Sequence, residues 1–171
     1  MPSKRRGSSG LPDRNGAEVL DETDRKLLGM LVEDPRAPTA RFATRLAMSR
    51  PAVAQRLRRL ERAHVIDRWR VDLNPSSLGL SYTVFFRVRP AAAQVEAIEN
   101  IARSEPAVVE CYRLTGEDAL LLKAHFATVP EFERFQARLN RHGQSVACDV
   151  LSAVVAPRAP NLTRAASSPV P

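Results

Sequence analysis

The sequence predicts an α+β chain in two parts, in which three short helices precede a unit that alternates strands and helices. Between Leu20 and Leu60, apolar residues recur every three or four positions, which is the period of amphipathic helices. Beyond residue 79 the period changes repeatedly, in the order strand, helix, strand, strand, helix, strand. Ten arginines and only two acids lie between Arg36 and Arg70, so the net charge of +7 is concentrated in the helical part.

The first two helices each carry one apolar stripe. The first begins after Leu20, where Asp21 is expected to cap the free backbone amides and Asp24 to place negative charge beside them. Its inward side is formed by Leu27, Leu28 and Leu31. Pro35 ends this helix, and a second helix begins at Thr39. The inward side of the second helix is formed by Phe42, Ala43 and Leu46.

The third helix follows a tight turn that ends at Ser49, and Ser49 is expected to cap it. Pro51 is compatible with the first turn, because the amide it lacks would have no partner there. The buried side is formed by Val53, Leu57 and Leu60. At about 100° per residue, the opposite side carries Pro51, Gln55, Arg58 and Arg62, with Arg59 beside them. Arg50 and Arg56 flank the buried side, and the helix is expected to end near His64.

Alternating apolar and polar residues from Val65 to Leu73 predict a strand or a short hairpin, which a linker at residues 74–79 follows. Arg68 and Arg70 make this segment basic. Three helices with a tight turn before the third, followed by a basic wing, are typical of a winged helix-turn-helix, here residues 20–73, whose third helix enters the DNA major groove. An ordinary solvated helix with arginines for solubility is the alternative, and the order of the elements favours DNA.

The residues expected to contact DNA are Ser49, Arg50, Pro51, Gln55, Arg58, Arg59, Arg62, Arg68 and Arg70. Base edges are the expected partners of Arg50, Gln55 and Arg58. Phosphates or groove walls are the expected partners of Arg59, Arg62, Arg68 and Arg70. Trp69 is expected to pack against the third helix, and insertion at a DNA groove is the alternative.

Residues 80–157 predict a ferredoxin-like βαββαβ domain. Strands are expected at 82–89, 108–114, 120–126 and 145–155, and helices at 94–103 and 130–142. Both helices of such a domain pack on one face of the sheet, so the other face is open and a second copy of the domain would cover it. Cys111 and Cys148 fall on opposite edge strands, which argues against an internal disulfide.

Composition excludes several classes of protein. Residues 1–19 and 158–171 are dominated by small, polar and charged residues and are expected to be disordered tails. Because the chain has no run of about 18 apolar residues and no apolar stretch after its basic start, we expect a cytoplasmic protein without a membrane partner. The three histidines lie on different elements and no cysteine pair has metal-ligand spacing, so neither a metal, a cofactor nor a catalytic activity is expected.

Four motifs resemble the Lrp/AsnC, or feast/famine, family of prokaryotic transcriptional regulators. LDETDRKLL is similar to the family's LDxxDxxIL, RFATRLAMSRPAVAQRLRRLERAHVI to its helix-turn-helix, LNPSSLGL to its linker, and VVECYRLTGEDALLLK to its effector-domain signature. The motifs follow in the family's order over residues 20–157. The resemblance implies double-stranded DNA as a partner, homodimers made through the sheets, frequent octamers and, in several members, an amino-acid effector.

Three residues depart from the family's pattern. Ala47 and His64 stand where the family usually has glycine, at the bend before the third helix and after that helix. Ala119 replaces the aspartate that ends the family's T-G-x-x-D loop, and Asp118 lies one position earlier. The resemblance places the effector site at Thr115, Gly116, Glu117 and Asp118. The alternative is a hairpin turn that keeps its glycine for conformation.

Two other functions share parts of this pattern. An effector-independent architectural DNA-binding protein would carry the same arginines but show little preference among DNA sequences. A sirohaem-decarboxylase-like enzyme would share both domains and bind a tetrapyrrole, but it does not need a basic recognition helix. The sequence therefore predicts a sequence-specific DNA-binding transcriptional regulator that an amino acid or a related metabolite modulates.

Overall fold

The computed structural model describes residues 20–162, which form two compact units. Within the described residues, the first unit comprises residues 20–70 and 157–162, and the second comprises Val71–Ala156. The helices and strands of the described residues are, in chain order, α1 (Glu22–Glu33), α2 (Thr39–Arg45), α3 (Arg50–Arg62), β1 (Tyr82–Pro90), α4 (Val95–Ser104), β2 (Val108–Arg113), β3 (Leu120–Phe126), α5 (Val129–Asn140) and β4 (Gly143–Asp149). None of the helices in the described part is long and apolar enough to cross a membrane. The disorder expected for residues 1–19 and 163–171 concerns positions outside the described residues.

The three helices of the first unit enclose one apolar core, as the sequence predicts. Their buried side chains are Leu27, Leu28, Met30 and Leu31 of α1, Phe42 and Ala43 of α2, and Val53 and Leu60 of α3. The N-terminus of α1 is closed by a reciprocal pair of hydrogen bonds: the Asp24 amide donates to Asp21 Oδ1 at 2.7 Å and the Asp21 amide donates to Asp24 Oδ2 at 3.1 Å. This capping box satisfies two backbone amides that the helix itself leaves without partners.

Two residues of the first unit adopt the left-handed conformation that favours glycine. Ala47, in the turn between α2 and α3, has φ 52°, and His64, after α3, has φ 54°. The left-handed step at Ala47 ends α2 and lets the Met48 amide donate back to the Ala43 carbonyl at 2.9 Å. A non-glycine residue in this conformation costs about 1 to 2 kcal/mol.

Replacing Ala47 with glycine is expected to raise the free energy of unfolding of the first unit by about 0.5 to 1 kcal/mol, since glycine removes the steric cost but loses more chain entropy. Urea denaturation followed by circular dichroism measures the change. Ala54→Gly, within α3, is the matched control and should lose about 1 kcal/mol. Equal losses for both variants would contradict strain at Ala47.

The segment after α3 differs from its prediction. Residues 65–73 were expected to form a strand or a hairpin, and the structure shows no strand there. Val71 and Leu73 are 82% and 66% exposed. A strand requires a neighbour for its backbone hydrogen bonds, and within residues 20–162 no segment pairs with this one.

The second unit has the predicted βαββαβ order and a four-stranded antiparallel sheet in the order β2-β3-β1-β4. Alternate residues of the two central strands face the helices, where they form a second apolar core. Its buried members are Val84, Phe86, Val88, Leu120, Leu122, Ala124 and Phe126 of the sheet, Ile98 and Ala102 of α4, and Phe135 and Leu139 of α5. Cys111 and Cys148 lie on the opposite edge strands and are both free thiols, as expected.

The fourth strand is shorter than predicted, ending at Asp149 instead of Val155. Among residues 20–162, the strand that pairs with it is β1 alone, which begins at Tyr82. The Val150 amide makes the last contact, to the Thr83 carbonyl at 2.8 Å. In the described part of the chain, the residues beyond Val150 have no strand to pair with, although their composition is strand-like.

Residues 157–162 belong to the first unit, although the predicted disordered tail begins at residue 158. Leu162 packs against the first apolar core, and its carbonyl accepts a hydrogen bond from Arg25 Nη1 at 3.1 Å. The sequence around Leu162 carries no periodicity from which this contact follows.

Candidate nucleic-acid interface

The third helix begins in the way that its sequence predicts. Ser49 is the cap, and its Oγ accepts a hydrogen bond from the Ala52 amide at 3.3 Å. Pro51 lies in the first turn, where no helical hydrogen bond is lost. Because Ser49 is engaged in this bond, its first role is to fix where the helix starts.

The side of α3 that faces away from the core is basic. Pro51, Gln55, Arg58 and Arg62 are exposed, and we call them the exposed stripe of α3. Arg62 Nε donates to the Arg58 carbonyl at 3.1 Å. Arg50 is exposed at the start of the helix. Within residues 20–162, neither Arg50 nor Arg58 forms an ion pair, so both guanidinium groups are available to a partner.

Two other arginines of α3 point to α1. Asp24 is fully buried, and its two carboxylate oxygens accept from Arg56 Nη1, at 2.8 Å, and from Arg59 Nη2. Arg56 Nη1 also lies 2.6 Å from Asp21 Oδ2. We call these four residues the Asp24 anchor. It joins the N-terminus of α1 to the middle of α3, and so fixes the rotation of the helix that carries the exposed stripe.

In the Asp24 anchor, the opposite charges of Asp21 and Arg56 each favour the ionised form of the other. Partial burial raises the pKa of Asp21, but hydrogen bonds from the Asp24 amide and from Arg56 outweigh it, so the pKa lies below its usual value. The hydrogen bonds that Arg56 donates to the carboxylates of Asp21 and, second in size, Asp24 raise the pKa of Arg56. A lowered carboxylate pKa means that this contribution to stability is present above the ordinary pKa of aspartate and is lost as the pH falls.

The sequence predicts that Arg59 contacts a DNA phosphate, and the Asp24 anchor is not among the sequence-based predictions. A signal was present, because Asp24 lies three, four and seven positions before Leu27, Leu28 and Leu31, on the same stripe of α1. A carboxylate on a buried stripe requires a cationic partner, since an unpaired buried charge is costly.

The basic residues after α3 lie on an exposed segment. Arg68 Nε donates to Asp67 Oδ2 at 2.7 Å, and Arg70 is exposed. Trp69 contacts α3, as predicted, through a hydrogen bond from its indole Nε1 to Glu61 Oε1 at 2.9 Å. Its side chain remains 54% exposed, so it is not a core residue.

The predicted effector residues lie in the exposed loop between β2 and β3. Gly116 has φ 107°, a conformation that requires glycine. Arg87 Nε donates to Asp118 Oδ2 at 2.8 Å, and Arg89 Nη2 donates to Glu117. The hydrogen bonds that Arg87 donates to the Asp118 carboxylate raise the pKa of Arg87. Both carboxylates of the loop are therefore paired with arginines of β1, which sequence reasoning did not connect with this loop.

Comparison with known proteins decides the family. The model of the AsnC-type helix-turn-helix domain matches residues 20–61, and that of the Lrp/AsnC ligand binding domain matches residues 83–155. A glutamate uptake regulatory protein of Zymomonas mobilis is 34% identical over 123 residues, which are 70% of this chain and 75% of that protein. The chain belongs to the Lrp/AsnC family of transcriptional regulators.

Other Lrp/AsnC proteins agree with this assignment. The proline dehydrogenase transcriptional activator of Rhodobacter capsulatus is 31% identical over 120 residues, covering 68% of this chain and 78% of that protein. The structure of transcriptional regulator NMB0573 from Neisseria meningitidis, a complex with L-Met, superposes with a TM-score of 0.72 at 31% identity, over 80% of this chain and 93% of that one. The resemblance, the α+β fold and the regulator function inferred from the sequence are thereby confirmed.

The Lrp/AsnC assignment gives the two units distinct roles, DNA binding for the first and ligand binding for the second. Among residues 20–162, no group of three or more His, Cys, Asp or Glu side chains is placed to hold a metal ion.

Proposed function

We propose that this protein acts in the cytoplasm as a homodimer, or as an octamer built from four such dimers. Each dimer binds a near-palindromic DNA site with two α3 helices, one from each subunit. The observation that supports this is the exposed stripe of α3, a row of polar and basic side chains on the third helix of a helix-turn-helix. Such a helix presents its side chains to the major groove. Regulation by binding, without catalysis, is the proposed mode of action, and the same stripe argues against the sirohaem-decarboxylase-like alternative.

Within the interface, Arg50, Gln55 and Arg58 are proposed to contact base edges. Arg62, Arg68 and Arg70 are proposed to contact phosphates, which fix position but carry no sequence information. The Asp24 anchor assigns a different role to Arg59, which holds α3 in place.

The open face of the sheet supports the proposed dimer. The register puts Phe85 beside Lys123 and Cys148, and Arg87 beside Leu121 and Val146, on the face opposite the helices. Val146 on β4 is 54% exposed. A second copy of the same face would bury its apolar members, Phe85, Leu121 and Val146.

Two substitutions separate base contacts from phosphate contacts. Arg58→Ala is expected to cost about 1 to 3 kcal/mol on specific DNA and little on random DNA, because a base contact is made only with the specific sequence. Arg68→Ala is expected to weaken both alike and to reduce the salt slope. Titration of DNA from upstream of its own gene, and of random DNA, at two salt concentrations measures both effects.

Arg141→Ala is the charge-matched control for this experiment, since Arg141 is an exposed arginine of the second unit. It should bind both DNAs as the parent does. Equal losses on specific and random DNA for both Arg58→Ala and Arg68→Ala would contradict the proposed division.

We further propose that an amino acid or a related metabolite changes DNA binding through the second unit, a proposal supported by its match to a ligand binding domain. The pairing of Glu117 with Arg89 and of Asp118 with Arg87 favours a second candidate, an effector-independent architectural DNA-binding protein. Adding a pool of amino acids to the same DNA titration distinguishes them. A shift in specific binding supports the regulator. Equal binding to both DNAs, unmoved by the pool, supports the architectural protein.

A further inference from the structure

The chain passes between the two units twice, once between residues 70 and 71 and again between residues 156 and 157. At the second unit, the two connections start side by side. The Thr83 carbonyl of β1 accepts from the Val150 amide, which directly follows β4, at 2.8 Å. We call residues 151–162, which make up the second connection and its end, the C-terminal strap.

The C-terminal strap is exposed along its length and held on the first unit at Leu162. Residues 151–161 are all exposed, and the side chains of Leu151 and Val154 are each 95% exposed. Leu162 is half-buried against the first apolar core, and its carbonyl accepts from Arg25 Nη1 of α1 at 3.1 Å. This residue therefore attaches the strap to α1.

The first connection is attached to a different helix. Next to it, the Trp69 indole Nε1 donates to Glu61 Oε1 at 2.9 Å, near the C-terminal end of α3. The Asp24 anchor joins α3 to α1, so both attachments are made to one packed group of helices. A body attached at one point can turn about that point in any direction, whereas attachment at two separate points leaves rotation about one axis.

We infer that the C-terminal strap restricts how the first unit can turn, and thereby fixes the spacing of the two DNA half-sites that a dimer binds. Two α3 helices enter the major groove together only where their separation matches one helical turn of DNA, about 34 to 36 Å, or a multiple of it. A unit on one flexible connection adapts to several separations, and a unit held at two points accepts few. The inference rests on the proposed dimer with paired α3 helices and adds a determinant of specificity outside α3.

The inference is tested by DNA titration of the full chain at two spacings of the half-sites. Footprinting of the DNA upstream of the protein's own gene locates the half-sites, and a second duplex carries two extra base pairs between them. That insertion moves one half-site by about 7 Å and turns it by about 70° around the duplex. The parent should bind the longer duplex about a hundredfold more weakly, because both α3 helices can no longer bind at once. We call this ratio the spacing penalty.

Two matched substitutions show whether the attachment of the strap sets the spacing penalty. Leu162→Asn places an amide against the apolar core and should release the strap, so its spacing penalty should fall below about tenfold. Leu151→Asn makes the same change where the side chain is 95% exposed, and its spacing penalty should equal that of the parent. Equal penalties in Leu162→Asn and the parent would overturn the inference and leave the proposed paired binding intact.

A third variant separates a tether from core packing and does not depend on the folding of Leu162→Asn. The insertion of Gly-Ser-Gly-Ser between Leu151 and Ser152 lengthens the exposed part of the strap by up to about 13 Å and keeps Leu162. Its spacing penalty should also fall below about tenfold, while its urea midpoint, followed by Trp69 fluorescence, equals that of the parent. An unchanged penalty in this variant would overturn the inference, since Leu162 would then only complete the apolar core. A parent without a spacing penalty would overturn the inference together with the proposed paired binding.

Discussion

Asp24→Ala is expected to lower the free energy of unfolding of the first unit by about 2 to 4 kcal/mol, since it removes two charged hydrogen bonds and half of a capping box. Asp24 is completely buried, whereas Arg56 and Arg59 are partly exposed and can turn to water. Because water can hydrate these two guanidinium groups after the substitution, the loss of unfolding free energy is smaller than it would be for two unpaired cations that stay buried. Urea denaturation measures the change.

Asp34→Ala is the control for this prediction. Asp34 also pairs with an arginine, Arg41 at 2.8 Å, but its side chain is 44% exposed, so its loss should be below about 1 kcal/mol. Similar losses for the two variants would mean that the buried anchor contributes no more than a surface pair. DNA binding provides a second readout, because Asp24→Ala releases two guanidinium groups on α3. Binding to random DNA should tighten, and its salt dependence should steepen.

Gly143→Ala is expected to destabilise the second unit by about 3 kcal/mol, at the upper end of the range for overpacking. A Cβ at this position would lie 2.3 Å from the Arg89 carbonyl oxygen and 2.7 Å from Pro90 Cα. Both are backbone atoms, so β1 and β4 must separate where they pair at Pro90 and Gly143. The displacement would also move Arg89, which pairs with Glu117 in the β2–β3 loop.

Gly29→Ala is the matched substitution for this test. Gly29 lies inside α1 and has open space where a Cβ would be, so alanine there should stabilise the first unit by about 0.5 to 1 kcal/mol. Thermal unfolding followed by circular dichroism compares the two. A neutral Gly143→Ala would contradict the close approach of β4 to the end of β1.

Periodicity alone is sufficient for most of the fold. Leucine spacing in α1 and α3 and alternation in β1 and β3 identify the buried faces correctly, because burial of apolar surface dominates the choice of those elements. Periodicity fails at 65–73 and after Asp149, where the pattern is strand-like but the described residues provide no neighbouring strand. Strand pairing depends on residues distant in sequence, which local patterns do not contain.

The contacts of the candidate site also depend on residues distant in sequence, so local patterns predict them only in part. Helical geometry is enough to place Gln55, Arg58 and Arg62 on the exposed side of α3. Which arginines stay available depends on α1, since Asp24 engages Arg59 across 35 positions of sequence. The pairing of Arg87 with Asp118, across 31 positions, likewise follows from the register of β1 with β3.

The indole of Trp69 makes the two units optically separable. It is the chain's single tryptophan and belongs to the first unit, whereas the only tyrosines, Tyr82 and Tyr112, belong to the second. Its hydrogen bond to Glu61 ties it to the last turns of α3, and its exposed face is open to a bound molecule or a quencher. Fluorescence excited beyond the tyrosine band therefore reports on the DNA-binding unit alone, in the unlabelled and otherwise unaltered protein.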